Sequence, residues 1–282
     1  MDVMTSKQAL RKALREIKTS GRSIGFVPTM GFLHQGHLSL MRRARQENDV
    51  VVASIFVNPT QFGPGEDLGA YPRDSRRDMK LMTAEKVDIA FFPDAEGIYP
   101  AGYSTYVTVE GPMTKVLCGK SRPTHFRGVT TVVSKLFHLV TPDRAYFGQK
   151  DAQQAAVIRK MTADLDFNLE IVVCPIVRET DGLAMSSRNT YLSPSHRKQA
   201  VVLSQSLSEA RQLISQGERN ATAVIRRMKA RISSAEDAVI DYVSVVNADT
   251  LADLETLEGK VLIALAVKFG STRLIDNELI HL

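Results

Sequence analysis

Tryptophan is absent from this 282-residue chain, and there are only two cysteines, Cys118 and Cys174, far apart. Such a pair makes no disulfide framework and fits a reducing compartment. Long apolar runs are missing too. Val50 to Val57 and Val261 to Val267 are the longest strongly apolar stretches, far short of the about 20 residues that span a bilayer. The amino-terminal stretch has no apolar core and no small-residue cleavage site, so it reads as a helix instead of a secretory signal. Ser6 would cap that helix, Leu10, Leu14 and Ile17 would share one face, and Gly21 would stop it. The cytoplasm is the expected location. Low-complexity linkers and internal repeats are lacking as well. Hydrophobic residues at 44% and charged residues at 24% exclude wholesale disorder.

Charge is present in excess of one sign. The formal balance is +5, which raises the odds of an anionic partner such as nucleic acid, a membrane surface or a phosphorylated ligand. Between Ser195 and Ile232, Arg197, Lys198, Arg211, Arg219, Arg226, Arg227, Lys229 and Arg231 face only Glu209 and Glu218. They fall on helical patterns with apolar partners such as Leu203, Leu207, Ile225 and Met228, so a solvated basic face explains them. No aromatic residues interleave as single-strand binding would require.

From Ser23 to about Val177, short β-rich runs alternate with helical periodicity. Strands are expected at 24–27, 50–57, 89–92, 144–147 and 169–173, and an extended stretch at 103–109. Helices are expected at 37–48, 73–85, around 129–140 and at 152–164. This rhythm predicts an α/β fold with a Rossmann-like, doubly wound parallel sheet. Beyond it the pattern changes. Asp181-Gly182 marks a turn and Ser193-Pro194 a helix start. Two basic helices and strands near 239–246, 261–269 and 272–276 follow. We therefore expect residues 1–175 to form this Rossmann-like domain and 176–282 a smaller α+β domain, the two facing each other across a cleft.

Ligands of open parallel sheets bind beyond the carboxyl ends of the strands. The first strand ends in Pro28-Thr29-Met30-Gly31-Phe32-Leu33-His34-Gln35-Gly36-His37. Its glycines permit a tight turn and close backbone approach, and a helix begins there, offering N–H groups and a positive dipole end. His34 and His37 add imidazole donors. The whole reads as a phosphate cradle that is neither Walker A nor G-x-G-x-x-G. Cys118, His125 and Cys174 have no spacing that completes a zinc site, and no protein metal site is expected. Gly148-Gln149-Lys150-Asp151 places a lysine where it could reach phosphates. Met185-Ser186-Ser187-Arg188 supplies two hydroxyls and a guanidinium for a transferring phosphoryl group. Asn58 and Gln61 are uncharged hydrogen-bonders that suit a hydroxy-acid or amide-like substrate, with a turn-forming role as the plainer alternative for both.

The string PTMGFLHQGHLSLM contains the H-x-G-H signature of the nucleotidylyl transferase superfamily and resembles the pantoate–β-alanine ligase family more narrowly. FVNPTQFGPGEDL with YPR, RPTHFRGV, YFGQKDAQQ and the stretch from Val177 to MSSRNTYLSP resemble that family in its order. The resemblance implies a Rossmann-like domain with a smaller lid domain in a homodimer. It implies ATP, Mg²⁺, (R)-pantoate and β-alanine as reactants, with no nucleic acid and no membrane. Pantoate carboxylate would attack the α-phosphorus to give pantoyl adenylate and pyrophosphate, and the amine would then displace AMP. Carried over by position, Met30, Gly31, Phe32, Leu33, His34, Gln35, Gly36 and His37 form the ATP loop, with His37 as proton donor. Gly148, Gln149, Lys150, Asp151, Val177, Met185, Ser186, Ser187 and Arg188 are the remaining ATP contacts. Gln61 would serve pantoate and β-alanine, and Gln154 pantoate. His34, His37, Lys150 and Arg188 are the expected catalytic groups, while His125 lies in a family block near the site. Thr124 stands where the family often has Gly.

Overall fold

The structure, a computed structural model, describes residues 1–282. Nine strands and ten helices follow one another in the chain. The first half runs β1 (Asp2–Met4), α1 (Lys7–Thr19), β2 (Ile24–Thr29), α2 (Gln35–Glu47), β3 (Val50–Ile55), α3 (Ser75–Ala84), β4 (Ile89–Phe91) and α4 (Ala95–Ile98). Then come α5 (Cys118–Ser121), α6 (His125–Val140), β5 (Arg144–Gly148), α7 (Ala152–Asp164) and β6 (Glu170–Cys174). The last third holds α8 (Pro194–Gln199), α9 (Val202–Ser215), α10 (Ala221–Ile232), β7 (Ala238–Asn247), β8 (Lys260–Phe269) and β9 (Thr272–His281). None of these helices is long and apolar enough to cross a membrane.

Two compact units emerge. The first comprises residues 1–109, 122–148 and 157–175. Its sheet has the order β1-β4-β3-β2-β5-β6 with every pair parallel. β3 is buried on both faces, as its Val-Val-Val start demands of a central parallel strand. The connections run outward from β2 to β3 and β4 and then return to β5 on β2's other side. Strand order therefore reverses at β2, which puts the switch point, where open α/β sheets bind ligands, at the loop that leaves β2.

Local chemistry explains the ends of these elements. Ser6 caps α1 by accepting from the Ala9 N–H, and Gly21 beyond it has φ +73°. α6 starts at His125, earlier than its apolar periodicity suggests, and buries Val129, Val133, Leu136 and Phe137. Residues 103–109 form no strand. The backbone of Val107 is held instead by hydroxyls of α6, with its N–H donating to Thr131 Oγ1 at 3.0 Å and its carbonyl accepting from Thr130 Oγ1 at 2.7 Å. β1, three residues long, pairs with β4 and was not expected, because so short a run shows no periodicity.

The second unit comprises residues 110–121, 149–156 and 176–282. Its sheet is antiparallel, β7-β8-β9. One face of β8, through Val261, Ile263, Leu265 and Val267, packs on Leu203, Leu207 and Ile214 of α9 and Val224 and Met228 of α10. The other face, through Leu262 and Ala264, packs on Leu117, Val116 and Ala152. Covering that face is why 110–121 and 149–156, which the sequence reading placed with the first domain, group here. Three basic helices precede the sheet, and four of their cations are paired: Arg197 with Glu179 and Asp181, Arg211 with Glu278, and Arg227 and Arg231 with Glu209.

Candidate active site

In the first unit the loop after β2 turns sharply. Gly31 has φ +83°, and a Cβ there would meet Ile55 Cγ2 at 2.8 Å, so only glycine fits. Phe32 follows in the left-handed region at φ 51°. What holds it there is Asp78 of α3. Its carboxylate accepts from the Phe32 N–H and the Leu33 N–H, both at 2.8 Å, and it is 1% exposed. Burial pushes the Asp78 carboxyl above its ordinary value, against the pull of those two N–H donors. The Arg77 guanidinium lies 5.3 Å from the Phe32 ring centroid. The sequence reading missed Asp78. Its position four before the buried Met82, on the inner face of α3, was the available signal.

The two histidines then start α2 by capping it for each other. The Gly36 N–H donates to His34 Nδ1 at 3.2 Å, and the His34 N–H donates to His37 Nδ1 at 3.3 Å. Their ring centroids lie 4.0 Å apart. A nitrogen that accepts from a backbone N–H carries no proton, so each neutral ring bears its proton on Nε2, at its opposite edge. Both imidazoles are thus oriented as donors. The helix terminus itself offers less than the sequence suggested, since the Gly36 N–H is taken by His34.

The loop after β3 joins this one. Gln61, 8% exposed, donates from Nε2 to Met30 Sδ at 3.0 Å. Asn58 spends its amide internally: Nδ2 donates to Gln61 Oε1 and to the Gly128 carbonyl, both at 3.1 Å, and Oδ1 accepts from Tyr99 Oη at 2.8 Å and from Thr60. Burial pushes the Tyr99 hydroxyl up to about 12, so it stays a donor at neutral pH. Asn58 therefore shapes the turn that presents Gln61. Gly128 lets α6 come close, because a Cβ there would meet the Thr60 carbonyl oxygen at 2.4 Å.

His125 buttresses the same turn. Its Nδ1 lies 2.9 Å from the Gln61 carbonyl, which can only accept, and its Nε2 lies 3.2 Å from Arg122 Nη1, which can only donate. The ring is therefore the Nδ1–H tautomer, the reverse of His34 and His37. Arg122 also pairs with Glu66. Burial pushes the Glu66 carboxyl up, but the hydrogen bond and charge of Arg122 carry it below its ordinary value.

The second unit carries the other expected residues. Gln149, Lys150 and Asp151 form a single 3₁₀ turn. Gln154 is half-buried on α7, beside Gln153, which donates from Nε2 to the Met113 and Val116 carbonyls. Val177 and Met185 face each other across a hairpin, with the Met185 N–H donating to the Val177 carbonyl at 3.0 Å and the turn at Asp181-Gly182. Ser186 caps the turn that follows by accepting from the Arg188 N–H at 3.2 Å, and Ser187 is buried. Lys150 and Ser186 line one small cavity together with Asn189 and Asp276. Cys118 and Cys174 are both buried and free. No three His, Cys, Asp or Glu side chains gather as a metal-ion cage.

The profile of the family described as Pantoate-beta-alanine ligase matches residues 2–279. The chain is 61% identical to the pantothenate synthetase of Acetivibrio thermocellus over 281 residues, covering 100% of each. It is 57% identical to that of Moorella thermoacetica, covering 98% of each. Among solved structures, the pantothenate synthetase of Thermus thermophilus superposes with a TM-score of 0.95 at 47% identity, covering 99% of each chain. The pantoate-beta-alanine ligase of Francisella tularensis, complexed with β,γ-ATP and β-alanine, gives 0.81 at 33% identity, covering 99% of this chain and 97% of that one.

Proposed function

The chain belongs to the pantoate–β-alanine ligase family, and we propose that its residues carry the ligation through a pantoyl-adenylate intermediate. Its activity is that of a pantothenate synthetase, joining pantoate to β-alanine at the expense of ATP. Pantoate carboxylate, ionised at neutral pH, attacks the α-phosphorus of ATP and expels pyrophosphate. The β-alanine amine then attacks the acyl carbon, and AMP leaves as pantothenate forms. A carboxylate needs no strong base. The barrier lies in charge gathering on the α-phosphate and the departing pyrophosphate, and positioning with aimed cationic and N–H donors lowers it.

The mutual capping of His34 and His37 carries this reading. With both Nδ1 atoms accepting from the backbone, both Nε2–H groups are fixed as donors before any nucleotide arrives. We assign them to phosphate oxygens, with His37 at the reacting phosphate. Met30, Gly31, Phe32, Leu33, Gln35 and Gly36 are the backbone of that ATP loop. Gly148, Gln149, Lys150, Asp151, Val177, Met185, Ser186, Ser187 and Arg188 are assigned to the nucleotide as well, with Lys150 and Arg188 stabilising phosphate charge. Gln61 is assigned to pantoate and β-alanine and Gln154 to pantoate, and Asn58 acts through Gln61.

Mg²⁺ enters with ATP as part of the substrate. Phosphate oxygens and water would supply most of its ligands. Bound there, it would neutralise phosphate charge. Exclusion of water would protect the labile acyl adenylate. A homodimer in the cytoplasm completes the proposal, supported by the family resemblance and by two free thiols.

The purified protein should form AMP only when pantoate and β-alanine are both present, and should release pyrophosphate from ATP with pantoate alone at enzyme stoichiometry. A transferase that leaves AMP on its product would release pyrophosphate without this dependence, and that result would reject the ligase mechanism.

A further inference from the structure

The strand β9 carries two adjacent polar residues that are buried opposite apolar residues of β8. Asp276 is 2% exposed and Asn277 3% exposed, and their partners across the sheet are Leu265 and Ala264. Successive strand residues point to opposite faces, so this pair reaches to both sides of the sheet. Neither carries a role in the reaction described above.

On one side, Asp276 receives Arg178 in a forked contact, with Nη1 2.6 Å from Oδ2 and Nη2 3.1 Å from Oδ1. Arg178 Nη1 also donates to the Gly182 carbonyl at 3.1 Å. That fixes the hairpin whose far arm runs into Met185 and Ser186.

On the other side, Asn277 uses its whole amide on one turn. Nδ2 donates to the Gln149 carbonyl at 2.9 Å and to the Lys150 carbonyl at 3.0 Å, and Oδ1 accepts from Gln149 Nε2 at 3.0 Å. Two donors and one acceptor are spent on two adjacent residues. Few side chains can do this. Aspartate has no hydrogens for the two carbonyls, serine has one, and glutamine is a methylene too long for a site this closely packed. Asp276, Ser186 and Lys150 line the same cavity.

We propose that Asn277 is a positioning residue for adenylation: by gripping the 149–150 backbone it sets where the Lys150 ammonium meets ATP, while its neighbour Asp276 fixes the hairpin that leads to Ser186. This inference rests on the assignment of Lys150 to ATP made above. A buried strand residue thereby sets the reach of a lysine that is far from it in sequence. Misplacing a positioned group by about 1 Å can cost on the order of 100-fold in rate, so the effect should be large for a residue that touches no substrate.

The test is a double-mutant cycle on Lys150→Ala and Asn277→Ala in the full chain, following pyrophosphate release from ATP and pantoate, with thermal melting as the folding control. The expectation is that Asn277→Ala lowers kcat/KM for ATP by about 10-fold or more and leaves KM for β-alanine unchanged. In the Lys150→Ala background the same substitution should cost almost nothing further, since coupled residues fail to add. Asn277→Ser, which keeps one donor, should lose less than Asn277→Ala, and it serves for the cycle if the alanine variant does not fold. Losses that multiply independently, or native kinetics for both Asn277 variants beside an impaired Lys150→Ala, would overturn the positioning role alone. Native pyrophosphate release by Lys150→Ala would instead overturn the ATP assignment and the inference with it.

Discussion

Replacing Asp78 tests how the loop proposed to bind ATP is held. Its carboxylate takes two charge-assisted hydrogen bonds, from the N–H groups of Phe32 and Leu33. Hydrogen bonds to a charged group are worth about 1.5–3 kcal/mol each, which sets the gross loss for Asp78→Ala near 3–6 kcal/mol. Two effects reduce it. Burial has already lifted the Asp78 carboxyl above its ordinary value, so the native state bears a cost for its charge that the variant escapes. Phe32 also sits at φ 51°, and release from a left-handed conformation returns about 1–2 kcal/mol. The net destabilisation should therefore be about 2–3 kcal/mol for Asp78→Ala, and about half that for Asp78→Asn, whose amide oxygen keeps one of the two bonds. Urea unfolding reads the loss directly. Activity should fall further than stability, because the untethered loop no longer fixes His34 and His37. Pyrophosphate release from ATP and pantoate should drop by 10-fold or more (about 1.4 kcal/mol per decade) in folded Asp78→Asn. An unchanged urea midpoint together with full pyrophosphate release would refute the clamp.

His37→Ala should slow adenylation by about 100-fold or more in single-turnover assays and, as the His34 N–H loses its cap, cost about 1 kcal/mol in urea unfolding. Glu66→Gln should flatten the acid limb of the stability profile. The Glu66 carboxyl is lowered on folding, so its pairing with Arg122 stabilises fully above its unfolded value near 4.5 and is lost as pH falls below it. Chemical denaturation at stepped pH between neutral and strongly acidic conditions checks the sign. Neutralising Arg226, Arg227 and Arg231 together should leave the ligation rate within about twofold, since Arg227 and Arg231 pair with Glu209 at a solvated surface. A steady-state AMP assay measures it.

What the sequence disclosed was local. The tight turn before α2 was legible because glycines, histidines and helix start fall within one strand-to-helix turn, and five of the six parallel strands because strands and helices alternate, β1 being too short to show. Asp78 was not, because an aspartate in the charged stretch Asp74-Ser-Arg-Arg-Asp78 looks solvated until α3 packs it beneath a loop 46 residues earlier. Asn277 stayed hidden for the same reason at a separation of 128 residues. Asn58 shows the converse. An uncharged amide at a strand end suited a substrate, yet Gln61, Gly128, Thr60 and Tyr99 take up its hydrogen-bonding capacity. His125 has its place in the structure, braced between Arg122 and the Gln61 carbonyl. Residues 103–109 have strand-like alternation, but threonine hydroxyls of α6 replace the ladder that would make them one.

A crystal structure of the protein with a non-hydrolysable ATP analogue and pantoate bears on the imidazole pair most directly. Both Nε2 atoms should lie about 2.7–3.2 Å from phosphate oxygens, with each Nδ1 still accepting from its backbone N–H. A triphosphate bound away from the β2–α2 turn, or either ring rotated so that Nδ1 faces the nucleotide, would contradict it.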